Sequence, residues 1–177
     1  MIKRLVCWAV ASVVTVSAWG CPTDAAPRPA GSVLTLQVPG AAVLAFSEAD
    51  LAALPPTRLT QRLSVSSSAS SATERSLVYG GVLLRDVLLK SGFAFASDRG
   101  ARTMVVEAVA TDGYRAVFSW GELFNTAVGD QVIVIGSQDG RPLDSVAGPL
   151  ALRSLADLRP GARHVRNLCA LVVRSLP

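Results

Sequence analysis

The sequence predicts an α+β fold, a single domain of mixed β-sheets with short helices, and three observations carry that reading. Short runs that alternate apolar and polar residues outnumber helical stretches. The two kinds of segment do not follow one another as the strand–helix repeats of a parallel sheet would. Half of the 177 residues are apolar and 17% are charged, which suits one buried core and is too apolar for a disordered chain.

The first residues have a different character from the rest. Met1-Ile2-Lys3-Arg4 is a short basic start, Leu5 to Ala18 is uncharged and mostly apolar, and small residues follow at Ser17, Ala18 and Gly20. That order predicts a secretory signal peptide over 1–18, cut at Val16-Ser17-Ala18, and a periplasmic or secreted protein. A cut after Gly20 would instead leave Cys21 for lipidation, the one route by which the chain would meet a membrane. Removing Lys3 and Arg4 brings the two signs of charge close to balance, so no nucleic-acid partner is expected. Residues 19–31, rich in Pro, Ala and Gly, read as a flexible leader to a domain over 32–177.

Within that domain Ser32–Val38 alternates as a strand. Ser47 with Asp50 caps a short helix through Ala53, which Pro55-Pro56 ends. Arg58–Val65 alternates again, and Ser66–Ser76 reads as a polar loop open to proteolysis near Arg75. Leu84, Val87, Leu88 and Ser91 share one face of a helix that Gly92 stops. Met104–Ala110 and Tyr114–Phe118 are strands around an Asp112-Gly113 turn. Ser119 and Glu122 form a capping box for a helix over Trp120–Ala127. Gln131–Ile135 is a buried strand, Ser137–Gly140 a turn, and Arg163–Val173 a closing strand.

Motif chemistry is sparse. No dinucleotide fingerprint, phosphate loop, H-E-x-x-H or G-x-S-x-G occurs, and three cysteines make neither a disulfide scaffold nor a four-thiolate zinc site. Cys169 lies in an apolar run and reads as a buried thiol, although export would also let it pair with Cys21. His164 is the single histidine, and nothing places a nucleophile beside it. Between residues 153 and 174 stand five arginines and one acid, Asp157. Two-residue periodicity puts His164 and Arg166 on one face of the closing strand with Leu168, Ala170 and Val172, and Arg163 on the other. Forked cations at a strand end suit a phosphate or carboxylate. The plainer reading is that arginine is the default cation of a domain holding one lysine.

Four segments in order carry a resemblance. Tyr79-Gly80-Gly81-Val82-Leu83-Leu84-Arg85-Asp86-Val87-Leu88 resembles the aromatic-x-Gly-Val-x-Leu-Arg-Asp-Leu-Leu stretch of the sulfite-oxidase-like molybdopterin-binding domain. Asp112-Gly113-Tyr114 with Phe118-Ser119, then Asp139-Gly140-Arg141-Pro142-Leu143 with Gly148-Pro149-Leu150, and finally Arg163-His164-Val165-Arg166-Asn167-Leu168, are similar to its later motifs. The resemblance implies a sulfite-oxidase-like fold and a molybdenum–pterin oxidoreductase. It also implies that Arg153, Arg163, His164 and Arg166 face a pterin or another anionic small molecule. Family members ligate molybdenum through a cysteine in the loop that corresponds to Ser66–Ser76, and this loop has none. Where an arginine often follows Gly-x-Pro, Ala151 stands, with Arg153 two residues on. The expectation is therefore an exported domain that binds molybdopterin or another anion with weak or no molybdenum catalysis. The alternative is a silent relative that binds a ligand or an envelope protein.

Overall fold

The structure, a computed structural model, describes residues 21–22, 25, 27–65, 73–95, 97–159 and 161–176. The expected signal peptide and the Ser66–Ala72 part of the expected loop lie outside the described residues. Two sheets enclose the core. The first has the order β2-β1-β10-β5-β6, with β1 (Leu34–Gln37), β2 (Leu44–Phe46), β5 (Met104–Ala110), β6 (Arg115–Ser119) and β10 (Leu168–Ser175). It is mixed, because β1 runs parallel to β10 while the other pairs are antiparallel. The second is antiparallel, β3-β4-β7-β8, with β9 also on β7; these are β3 (Pro56–Val65), β4 (Thr73–Leu83), β7 (Val132–Gln138), β8 (Arg141–Pro142) and β9 (Ala151–Ser154).

Local sequence explains most of these elements. On β5 and β6 the alternation sends Val106, Ala108, Ala116 and Phe118 into the core and leaves Val117 exposed. Both capping boxes form. Ser47 and Asp50 open α1 (Glu48–Ala52), and Ser119 and Glu122 open α3 (Trp120–Phe124). The helix α2 (Leu84–Leu89) buries Leu84, Val87 and Leu88 completely. Asp139 and Gly140 both take positive φ at the tight β7–β8 turn, the geometry that two-residue hairpins require. At Gly81 a register shift brings the next strand close, and a Cβ there would lie 2.0 Å from the Val134 carbonyl oxygen.

Three expectations are corrected. The polar loop is shorter than Ser66–Ser76, since Thr73–Ser76 belong to β4 and Arg75 pairs in register with Leu63. The third helix ends at Phe124, where Thr126 caps a separate 3₁₀ turn over Ala127–Gln131. The closing strand does not start at Arg163. Asn167 takes a left-handed φ of 49° and the register shifts between Leu168 and Ala170. Strand alternation therefore does not run from His164 to Val172.

The same bulge decides the fate of Cys169. Leu168, Leu171 and Val173 face the main core, while Cys169, Ala170 and Val172 face outward with Val109. On that outer face Cys169 forms a disulfide with Cys21, across 5.8 Å between Cα atoms. It is not a free buried thiol. Ala25 packs over the same patch, so the leader is fastened to the last strand.

A second fastening is electrostatic. Arg163 Nε donates to Asp157 Oδ2 at 3.0 Å and Nη1 to Glu122 Oε1 at 2.7 Å, with the guanidinium 4.7 Å from the Phe118 ring centre. The Asp157 hydrogen bond raises the Arg163 pKa, and the same bond holds the Asp157 carboxyl below its usual range. Glu122 is partly desolvated, which opposes its charge, but the Ser119 backbone N–H and Arg163 outweigh that and lower its pKa. Arg163 thereby ties the loop after β9 to the start of α3.

Peptide mapping of the protein without reductant is expected to give Cys21 and Cys169 peptides joined, with no acyl mass on Cys21; an acylated or free Cys21 contradicts the fold. Cys169→Ser is expected to cost about 2–5 kcal/mol in denaturant unfolding, because the bridge closes a long loop. Arg163→Ala leaves two carboxylates without their cation and is expected to cost about 2–3 kcal/mol. Arg163→Lys recovers only part of it, lacking the fork that reaches both acids. An unchanged melt of Arg163→Ala would show the triad to be inert.

Candidate anion site on the second sheet

The residues before Asn167 leave the first sheet and join the second. Val165 exchanges both backbone hydrogen bonds with Leu152 of β9, each 2.8 Å. Leu152 and Val165 are both fully buried in the main core. Their neighbours Arg153 and His164 therefore stand side by side on the opposite, outer face. The connection is held at its end by Gly148 and Asn167. The Asn167 N–H donates to the Ala147 carbonyl at 2.7 Å, and its side-chain amide donates to the Val146 carbonyl at 2.9 Å. Gly148 has φ 78°, and a Cβ there would lie 2.2 Å from Asn167 Oδ1. Only glycine fits that approach.

Arg153 is only 9% exposed. Its Nη1 donates to the Tyr79 hydroxyl at 2.7 Å, and its guanidinium carbon is 5.5 Å from the Tyr79 ring centre. Its Nε has no hydrogen-bond partner among the described residues. The surroundings are apolar: Leu77, Ile133, Ile135 and Ala151 form a small cluster with Tyr79, edged by Leu59, Leu143 and Leu155. An orphaned charge-bearing donor in such a place is costly unless something accepts from it.

His164 is half-buried beside it. Burial first, and then the charges of Arg153 and Arg166, push its pKa down to about 4. Arg166 is exposed. Among the described residues, neither Arg153 nor Arg166 pairs with a carboxylate; the nearby acid, Asp157, is engaged by Arg163. The structure thus groups Arg153, His164 and Arg166 and sends Arg163 to the opposite side. The result is a positive patch with a neutral imidazole at its centre, suited to accept an oxyanion.

Nothing in the sequence marks Tyr79 as a partner for Arg153, nor β9, whose four residues are too short for a period. The one available signal was an aromatic residue beside two glycines. The donor set does not suit a thiolate-anchored metal. Cys21 and Cys169 spend their sulfurs on each other, and no cluster of His, Cys, Asp and Glu that could hold a metal ion occurs among the described residues.

No family model matches the chain, and no curated protein sequence matches it. Among solved structures, the sulfane dehydrogenase SoxCD from Paracoccus pantotrophus superposes with a TM-score of 0.58 at 15% identity. The match covers 81% of this chain and 38% of that one, so this chain spans well under half of the neighbour's length. At that identity the likeness establishes architecture alone. The chain has the α+β, sulfite-oxidase-like fold that its motifs resemble.

Proposed function

We propose that this is an exported sulfite-oxidase-like domain that binds an oxyanionic small molecule, a pterin phosphate or another anion, at Arg153 and Arg166. In this reading it carries out little or no molybdenum turnover of its own. The observation that carries the proposal is that Arg153 and Arg166, both close enough to His164 to lower its pKa, pair with no carboxylate among the described residues, while Arg153 is held by the Tyr79 hydroxyl on an otherwise apolar face. Arg166 adds an exposed charge at the rim, and neutral His164 can accept or donate without adding to the repulsion. Molybdopterin remains within this ligand class through its phosphate. No step is assigned to the metal, because neither described cysteine is available as a ligand.

Export is supported by the basic start and apolar run of residues 1–18, and by the Cys21–Cys169 bridge, which belongs to an oxidising compartment. Arg163 supports the frame and is left out of the binding set. Its nitrogens are already engaged.

His164 is the only histidine, so its ring protons in an NMR titration report on this patch alone. In the free protein it is expected to titrate near 4. Its folded pKa lies below its unfolded value, so the unfolded chain takes up the proton first as pH falls. The linked stability is therefore complete above about 6.5 and is lost as pH drops through about 4. His164→Gln is expected to flatten that part of the melting profile. Inorganic phosphate is expected to raise the His164 pKa, since a bound anion favours the imidazolium. Arg166→Ala is expected to weaken phosphate about ten- to a hundredfold, the loss of one charge-assisted contact of about 1.5–3 kcal/mol. Phosphate that leaves His164 unmoved would refute the site. Stoichiometric molybdenum with sustained turnover, in protein from a cofactor-competent host, would refute the catalytic half.

A further inference from the structure

We infer that the free edge of β3 receives an extended, acidic segment of a partner protein as an added strand, with an apolar residue of that segment seated in the neighbouring cleft. This does not rest on the anion site. β3 ends its sheet and pairs with β4 alone among the described residues. Its ten residues pair without interruption, from Pro56 opposite Val82 to Val65 opposite Thr73. A long, regular edge strand is a ready template for another strand, and proteins seldom leave one open without charge or a bulge to guard it.

What guards this edge also selects its partner. Arg58, Thr60 and Arg62 are exposed and share one face, opposite Leu59, Gln61 and Leu63. The one described carboxylate near Arg62 is Glu74, 3.9 Å away with both side chains largely exposed, a weak pair. Arg58 has no ion-pair partner among the described residues. A second copy of this chain is a poor occupant. Antiparallel self-pairing about Thr60 sets Arg58 against Arg62 twice, and like charges directly opposed destabilise a sheet. A strand with carboxylates on that face complements both arginines, since it shares the two-residue repeat of β3.

The cleft supplies the second half. A cavity of about 530 Å³ opens beside the start of β3. Pro56, Thr57 and Arg58 line it together with Leu51, Leu54 and Leu150. Glu48 stands on its α1 wall, and Gly80, Gly81 and Val82 line its β4 side. Strand addition with a side-chain pocket alongside is a recurring mode of peptide recognition, in which the backbone gives affinity and the pocket gives selectivity.

The test uses a capped ten-residue peptide alternating threonine and glutamate, with one leucine replacing the glutamate that falls beside Pro56 at the cleft, and the same peptide with lysine for glutamate. Binding is read from backbone amide shifts and hydrogen exchange of the protein. The glutamate peptide is expected to shift and protect the β3 amides; the lysine peptide is not. Arg58→Glu combined with Arg62→Glu is expected to weaken binding at least tenfold with an unchanged melt, both side chains being exposed. Ala52→Trp, an exposed position on the cleft wall, is expected to weaken it while leaving the phosphate response of His164 intact. Equal binding of the two peptides, no protection of β3, or protection of β3 through concentration-dependent dimerisation would each overturn the proposal.

Discussion

The left-handed turn at Asn167 and the bulge that follows it in β10 govern the rest of the molecule. A straight strand from Arg163 to Val173 would belong entirely to the first sheet and would carry its cations along that sheet's surface. The break divides the segment instead. Residues 168–175 pair with β1 and β5, and Val165 pairs with Leu152 of the second sheet. One stretch of chain thus stitches the two sheets together across their common core. The cost of a left-handed, non-glycine residue is met by the asparagine side chain, which bonds the Val146 carbonyl, and by glycine at 148, which alone allows the approach.

Two features of chemical interest descend from that break. On one side of it, the shifted register turns Cys169 outward, where Cys21 can reach it. On the other, the bridge to Leu152 sets Arg153 beside His164 and leaves Arg163 pointing toward Glu122 and Asp157. Four residues grouped in the sequence are therefore divided between two roles. Arg163 holds a loop to a helix, and Arg153, His164 and Arg166 form a positive patch. Arg153 gains its partner, Tyr79, from a strand more than seventy residues earlier, and the aromatic ring offers a face as well as a hydroxyl.

The second sheet also carries two surfaces of different character. Its outer face is apolar around Tyr79 and Arg153, with charge gathered near β9. Its edge at β3, which pairs with β4 alone among the described residues, is regular and basic. The hairpin of β3 and β4 reaches beyond the main core, so alternation there separates an apolar face from a cationic one without either being needed to hold the sheets together.

By itself the sequence determined whatever depends on residues close in the chain. The capping boxes at Ser47 and Ser119, the buried face of α2, and the alternation of β5 and β6 follow from local hydrogen bonding and side-chain period, and they stand where the sequence placed them. The turn expected over Ser137–Gly140 narrows to Asp139 and Gly140, because Ser137 and Gln138 pair within β7. The ordered motifs also pointed to the sulfite-oxidase-like architecture. Tertiary structure alone decided the parity of Cys169, the pairing of Val165 with β9, and the partners of Arg153 and Arg163. A single-residue bulge inverts every side chain beyond it, and no local pattern announces one when both faces of a strand are apolar. Which cation meets a carboxylate and which stays open depends on contacts 41 and 74 residues apart along the chain. Spacing within one strand cannot encode contacts at that range.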